Sequence, residues 1–268
     1  MLRIGIVGCG TIGAAVAHGC AKHFKGRARV VAVNDADPVK ARALARGIAG
    51  ARVLASERLI AASDLVLEAA SARVSAPLAR RVLGAGKQIL VMSVGGLLGR
   101  TAALERLAAQ KGGRLYVPSG AIAGLDAVRA FGFVRWRRLV LRTQKPPAAL
   151  EGADYLVKRR IRLSGLRAPR TVFRGTAAQA VRAFPKNINV VAALALAAGG
   201  GVVPHVEIVA DPRLGRNVHT IMAESAGGRI TITCENVPSV ENPKTSRLAI
   251  LSALAVIGRL VAPVSIGN

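Results

Sequence analysis

The sequence predicts an α/β protein: an N-terminal doubly wound parallel sheet, then a second α+β domain, with a C-terminal helix packing back on the first. Three observations predict it. The chain opens with an apolar strand, a glycine turn and a helix of small residues, Leu2-Arg3-Ile4-Gly5-Ile6-Val7-Gly8-Cys9-Gly10-Thr11-Ile12-Gly13-Ala14-Ala15-Val16-Ala17. Apolar strands and helical stretches then alternate as far as residue 120. Beyond that point the strands turn basic and alternating, and the spacing changes.

Gly8, Gly10 and Gly13 form G-x-G-x-x-G in the context this pattern needs, a strand before it and a helix after. Gly8 permits the tight turn, Gly10 lets a pyrophosphate approach the backbone, and Gly13 lets helix and strand pack closely. The pyrophosphate would rest on the N–H groups and positive dipole end of the helix opening at Thr11 and Ile12. The first domain is therefore expected to be Rossmann-type. A second signal agrees. Val30-Val31-Ala32-Val33-Asn34-Asp35 is an apolar strand ending in an acid, about 20 residues past the glycines, where a carboxylate accepts ribose hydroxyls. The alternative for Asp35 is turn or N-cap chemistry ahead of Pro38.

Residues 38–49 have helical composition, with Pro38 suited to a first turn. A short strand is expected at 51–54 and a buried one at 64–68, followed by Ala69-Ala70-Ser71. Small residues there, Ala70 and Ser71, let a nicotinamide cofactor cross the carboxyl edge of the sheet. Ser93, ending the next strand at 87–93, is assigned to the same edge. Helices are expected at 75–85 and 98–111, and a strand at 114–117. The dinucleotide-binding domain is expected over 1–120 together with a helical segment in 241–268, and the second domain over 121–240. In the latter, strands are expected at 137–143, 171–174, 205–210 and 229–235, with helices at 177–184 and 187–198. The open face of that sheet is expected to join two copies as a homodimer.

With 268 residues the chain has ample length for a core, and at 3% aromatic content aliphatic side chains must fill it. Cys9, Cys20 and Cys234 are scattered and odd in number, which argues against a disulfide framework or a zinc site. The first strand begins at residue 2, leaving no room for a signal peptide, and the most apolar stretches are too short to span a bilayer. A cytoplasmic protein without membrane or metal is expected. The net charge of +25 raises the question of nucleic acid. The arginines are spread along the chain, with clusters only at 135–138 and 158–162, and the aromatics needed for base stacking are nearly absent. No specific nucleic-acid partner is expected.

Of the four histidines, His18 and His23 lie on or just after the first helix, and His205 starts a strand. His219 is expected in a loop after Val209-Ala210-Asp211-Pro212, with Asn217 two residues earlier. A strand-end loop facing a cofactor suits a neutral-pH acid/base, and a structural role suits the residue equally well. Asn187 could cap the helix that follows it. Thr245 or Asn242 could likewise cap the last helix, or Lys244 and Thr245 with the helix N-terminus could hold a carboxylate.

Taken together these motifs closely resemble the L-aspartate dehydrogenase family. The resemblance rests on Gly8-Cys9-Gly10-Thr11-Ile12-Gly13, Pro118-Ser119-Gly120-Ala121-Ile122-Ala123-Gly124-Leu125-Asp126, Lys145-Pro146-Pro147 and Phe184-Pro185-Lys186-Asn187-Ile188-Asn189-Val190. It continues through Val209-Ala210-Asp211-Pro212 with Asn217 and His219, Glu235-Asn236-Val237-Pro238-Ser239 and Glu241-Asn242-Pro243-Lys244-Thr245-Ser246. It runs nearly end to end and departs in composition, through the unusual basicity. It implies NAD(P)-dependent oxidative deamination of L-aspartate through iminoaspartate to oxaloacetate and ammonia, reversibly, with iminoaspartate able to feed NAD biosynthesis. It further implies that His219 is catalytic and that Ala123 and Asn189 contact the cofactor near its nicotinamide end. Asn217, Lys244 and Thr245 are assigned to the substrate. Asp35 favours NAD, and Arg29, Arg42 and Arg46 leave NADP open. The rival readings are another two-domain nicotinamide enzyme, dihydrodipicolinate reductase-like or homoserine dehydrogenase-like, and a non-catalytic dinucleotide-binding protein with a polyanion-binding surface.

Overall fold

The computed structural model describes residues 1–184, 188–242 and 245–266, without the side chain of Ile188. Two compact units divide the chain, Met1–Pro118 with Ala249–Asn268, and Ser119–Leu248.

The first unit alternates strand and helix: β1 (Leu2–Val7), α1 (Thr11–His23), β2 (Ala28–Asn34), α2 (Pro38–Gly47), β3 (Arg52–Val53), α3 (Ser56–Ala62), β4 (Leu65–Glu68), α4 (Ala72–Gly84), β5 (Gln88–Val91), α5 (Thr101–Lys111) and β6 (Arg114–Tyr116). The strands form one parallel sheet in the order β3-β2-β1-β4-β5-β6. That is the Rossmann order, whose direction reverses between β1 and β4. Strands covered on both faces must be apolar throughout, and Ile4, Ile6, Leu65, Val66, Leu67, Ile89 and Leu90 are all fully buried. Asp37, rather than Asp35, caps α2 by accepting the Val39 N–H at 2.9 Å. A helix not expected from the sequence is α3, where exposed Glu57 and Arg58 precede a buried Leu59-Ile60 pair.

The second unit contains α6 (Leu125–Phe131), β7 (Trp136–Lys145), α7 (Asp154–Lys158), β8 (Arg170–Thr176), α8 (Ala177–Ala183), α9 (Ile188–Ala197), β9 (His205–Ala210), β10 (Asn217–Ser225) and β11 (Gly228–Asn236). Its mixed sheet runs β11-β10-β7-β9-β8, parallel at β7–β9 and antiparallel elsewhere. The final helix α10 (Arg247–Val261) sends Ile250, Ala253 and Ile257 into the core of the first unit, beside Val16 and Cys20 of α1. Ser246 accepts the Leu248 N–H at 3.2 Å, so the cap of α10 is neither Thr245 nor Asn242. Among the described residues no helix is long and apolar enough to cross a membrane.

His219 is the main correction to the sequence reading. It lies inside β10, between β7 and β11, not in a loop. The stretch from Asn217 to Ser225 alternates, with His219, Ile221, Ala223 and Ser225 buried and Thr220, Met222 and Glu224 partly exposed. The polar residues at alternate positions hid the strand, and Gly227-Gly228 close its hairpin onto β11.

Candidate active site

The glycine turn of the first unit follows β1 at the reversal of strand order. Gly8 has φ +100°, and a Cβ there would stand 2.5 Å from the Ala69 carbonyl group at the end of β4. A Cβ on Gly13 would lie 1.9 Å from the Gly8 carbonyl oxygen. Both positions therefore need glycine for packing. Gly10 differs, since a Cβ there meets nothing within 4 Å. Gly10 stands at the N-cap of α1 with no side-chain cap and no acid in the first turn. Open backbone and uncapped N–H groups at Thr11 and Ile12 are what a pyrophosphate needs. The residues present thus fit a dinucleotide.

Asp35, just past β2, holds this turn. Its Oδ2 accepts the Cys9 N–H at 2.6 Å and its Oδ1 accepts the Asp37 N–H at 2.8 Å. Both oxygens keep lone pairs for hydroxyl donors, since a carboxylate has about four acceptor sites. The turn role and the ribose role are compatible here. Desolvation, with help from the Asp35 charge, pushes the neighbouring Cys9 thiol up to about 11, so it stays protonated.

Ala70 and Ser71 are exposed on the segment between β4 and α4, and Ser93 is half-buried after β5. Their N–H groups converge on a residue that sequence reasoning missed. Glu68 is fully buried. Its Oε1 accepts Ala70 N–H at 2.8 Å and Ser71 N–H at 3.1 Å, and its Oε2 accepts Ser93 N–H at 3.0 Å. A carboxylate closing a four-residue apolar strand was the available signal, because a buried charge must find donors.

In the second unit His219 is 5% exposed. Its Nδ1 lies 3.0 Å from Thr143 Oγ1. The ladder sets Thr143 of β7 on one side of His219 and Cys234 of β11 on the other. Directly paired residues share one face of a sheet, so all three side chains point the same way. Burial, aided by the Lys145 charge, pushes the imidazole down to about 4. At neutral pH it is uncharged, a base rather than a cation.

The segment holding Ala123 is pinned along β11. The Cys234 thiol meets the Ala123 backbone. Asn236 Nδ2 donates to the Ala121 carbonyl at 3.0 Å, and Ser246 Oγ donates to Asn236 Oδ1. Gly124, at φ +71°, sits so close to Ile232 that a Cβ would overlap its Cδ1 at 1.9 Å. Ala123 and His219 are thereby brought together through Cys234. Asn217 opens β10 opposite Asn236. Asn189 is exposed in the first turn of α9. Thr245 is half-buried; its N–H donates to the Asn242 carbonyl at 2.9 Å and its own carbonyl accepts Ser239 N–H at 2.7 Å. Lys244 and Asn187 lie outside the described residues.

The chain matches known proteins along its whole length. A family model described as aspartate dehydrogenase, C-terminal, matches residues 126–260, and one described as homoserine dehydrogenase, NAD binding domain, matches residues 8–118. The chain is 39% identical to an L-aspartate dehydrogenase of Methanosarcina mazei, covering 100% of both chains. It is 37% identical to L-aspartate dehydrogenase 3 of Bordetella bronchiseptica, covering 100% of this chain and 98% of that one. Its fold resembles the crystal structure of an aspartate dehydrogenase from Thermotoga maritima, with a TM-score of 0.76 and 23% identity over 100% of each chain. The chain belongs to the L-aspartate dehydrogenase family.

Proposed function

We propose that this protein catalyses the reversible, NAD(P)-dependent oxidative deamination of L-aspartate to oxaloacetate and ammonia. The observation that carries this reading is the end-to-end identity with L-aspartate dehydrogenases, in a chain whose one deeply buried histidine among the described residues is His219. A bound nicotinamide dinucleotide would supply the acceptor for a hydride from the substrate α-carbon, the substrate ammonium group giving up one proton to solvent. The iminoaspartate then reacts with water.

His219 is the group assigned to that water. A neutral imidazole accepts a proton as the water oxygen bonds to the imine carbon, and returns it to nitrogen as ammonia departs. In the tautomer that serves as base, Nδ1–H donates to Thr143 Oγ1 and Nε2 exchanges the proton. Gly10, Thr11 and Ile12 are assigned to the pyrophosphate, and Asp35 to the adenosine ribose, which favours NAD over NADP. Ala70, Ser71, Ser93, Ala123 and Asn189 are assigned to the nicotinamide half. Asn217, Lys244 and Thr245 are assigned to the substrate carboxylates.

The half-exposed face of the second sheet carries Arg142, Glu207, Thr220 and Met222, with Arg142 Nε donating to Glu207 at 2.8 Å. We assign this face to a homodimer contact. A reduced cytoplasm suits the three free thiols, and iminoaspartate released there could feed NAD biosynthesis.

The deciding assay follows NADH oxidation with oxaloacetate plus ammonia, beside the substrates of homoserine dehydrogenase and dihydrodipicolinate reductase. Turnover with oxaloacetate and ammonia is expected. Activity only on the other substrates would overturn the proposal, and NAD binding with no turnover would favour a silent dinucleotide-binding protein.

A further inference from the structure

Glu68 ends β4, beside β1 at the reversal of strand order. Taking a carboxylate fully out of water costs several kcal/mol or more unless donors replace the lost hydration, on the order given for buried ions. Its donors are the backbone N–H groups of Ala70, Ser71 and Ser93, joined by the Ser93 side chain. Its own main-chain carbonyl accepts the Met92 N–H at 2.9 Å. One residue thus bridges the segment leaving β4 and the segment leaving β5.

Both segments open helical turns. Ser71 precedes α4 and Ser93 precedes the 3-10 turn Val94–Leu97, yet neither hydroxyl caps its own turn. Helices are commonly capped one at a time, by a local Ser, Thr, Asp or Asn. Here a single carboxylate holds the residues that precede both turns, reaching Ser93 25 residues further along the chain. Local caps would serve N–H groups inside each turn and would not fix the distance between the segments. A shared acceptor fixes it. Burial raises the acid above the ordinary carboxylate range while the donated N–H bonds oppose the rise.

We infer that Glu68 is a positioning residue for the dinucleotide: through Ala70, Ser71 and Ser93 it sets the spacing of the sheet edge that receives the nicotinamide half. Glu68 does not touch the cofactor in this scheme. The inference rests on the assignment of those residues to the nicotinamide half.

The test compares NADH with ADP, a fragment lacking the nicotinamide half, by titration calorimetry on the full chain. In Glu68→Gln an amide keeps one acceptor oxygen and turns an NH2 toward backbone donors, leaving at least one N–H unmatched. NADH affinity is expected to fall roughly tenfold or more, the size of one unmet buried hydrogen bond, with ADP affinity within about twofold of wild type. Equal loss for both ligands, as general damage would give, overturns the inference, and so does unchanged NADH affinity. Glu68→Asp keeps the charge but is one methylene too short to reach both segments. The same split, smaller, is expected, and it decides the matter if Glu68→Gln fails to fold. Ser71→Leu tests the underlying assignment separately, by placing bulk on the exposed edge. If NADH affinity ignores that leucine, the assignment falls. If the leucine weakens NADH while Glu68→Gln does not, only the role of Glu68 falls.

Discussion

Thr143 Oγ1 and His219 Nδ1 stand 3.0 Å apart on neighbouring strands, both side chains buried. A ring held by a hydrogen bond at one nitrogen has its orientation set by that bond. Thr143→Val keeps the shape and removes the hydroxyl. Turnover is expected to fall about tenfold, within the range of a lost buried hydrogen bond, with the KM for NAD unchanged. Thr143→Ser should restore most of it. Steady-state kinetics on the three proteins check this, and full activity in the valine variant would mean that the contact only fills space.

Removing the imidazole should cost more. His219→Ala is expected to keep NAD affinity and to lower turnover about a hundredfold or more, the range for a general acid–base residue. A calorimetric titration beside an initial-rate assay separates the two quantities. Unchanged turnover would take His219 out of the mechanism.

The depressed acidity of His219 has a pH signature. For the free enzyme, the acidic limb of kcat/KM that belongs to His219 should lie near 4, not near the ordinary 6.5. Lys145→Met should move it upward, because one positive charge opposing protonation is gone. Stability follows the same linkage. The unfolded chain binds a proton at this histidine below about 6.5 while the folded chain does so only below about 4. The group's contribution is therefore complete above 6.5 and is lost as pH falls toward 4, at most about 3 kcal/mol. Urea unfolding at several pH values should show a flatter profile in His219→Gln across that window.

The three glycines of the turn should separate by experiment. Gly13→Ala forces a Cβ to 1.9 Å from the Gly8 carbonyl oxygen and should lower the melting temperature clearly. Gly10→Ala meets no protein atom within 4 Å. It should melt close to wild type and still bind NAD far more weakly, since its methyl occupies the approach to the backbone. Normal NAD binding in Gly10→Ala would place the pyrophosphate elsewhere.

Asp35→Ala removes acceptors from the Cys9 and Asp37 N–H groups as well as the charge. A loss of about 1–3 kcal/mol in stability is expected from those unmet donors. NAD affinity should fall more than NADP affinity. Equal losses would mean that Asp35 acts through the turn alone.

The strand, glycine turn and helix at the N-terminus were legible because each signal is local. Periodicity spans a few residues, and Gly8 and Gly13 are demanded by atoms of the same turn or of the adjoining strand. The alternation of strand and helix through the first 118 residues was readable for the same reason. The second sheet was legible only in part. Polar residues at every other position of β10 read as loop, and only pairing with β7 and β11 makes them one face of a strand.

By itself, then, the sequence determined the nucleotide-binding start, the α/β class and the family motifs, all set by neighbours along the chain. Tertiary structure alone decided how the charged and polar groups are satisfied. His219 meets a hydroxyl 76 residues away, Glu68 gathers an N–H from 25 residues on, and Asp35 reaches back 26 residues to Cys9. Buried polar groups take their donors from whatever backbone the fold brings within about 3 Å, and chain distance carries no record of that proximity.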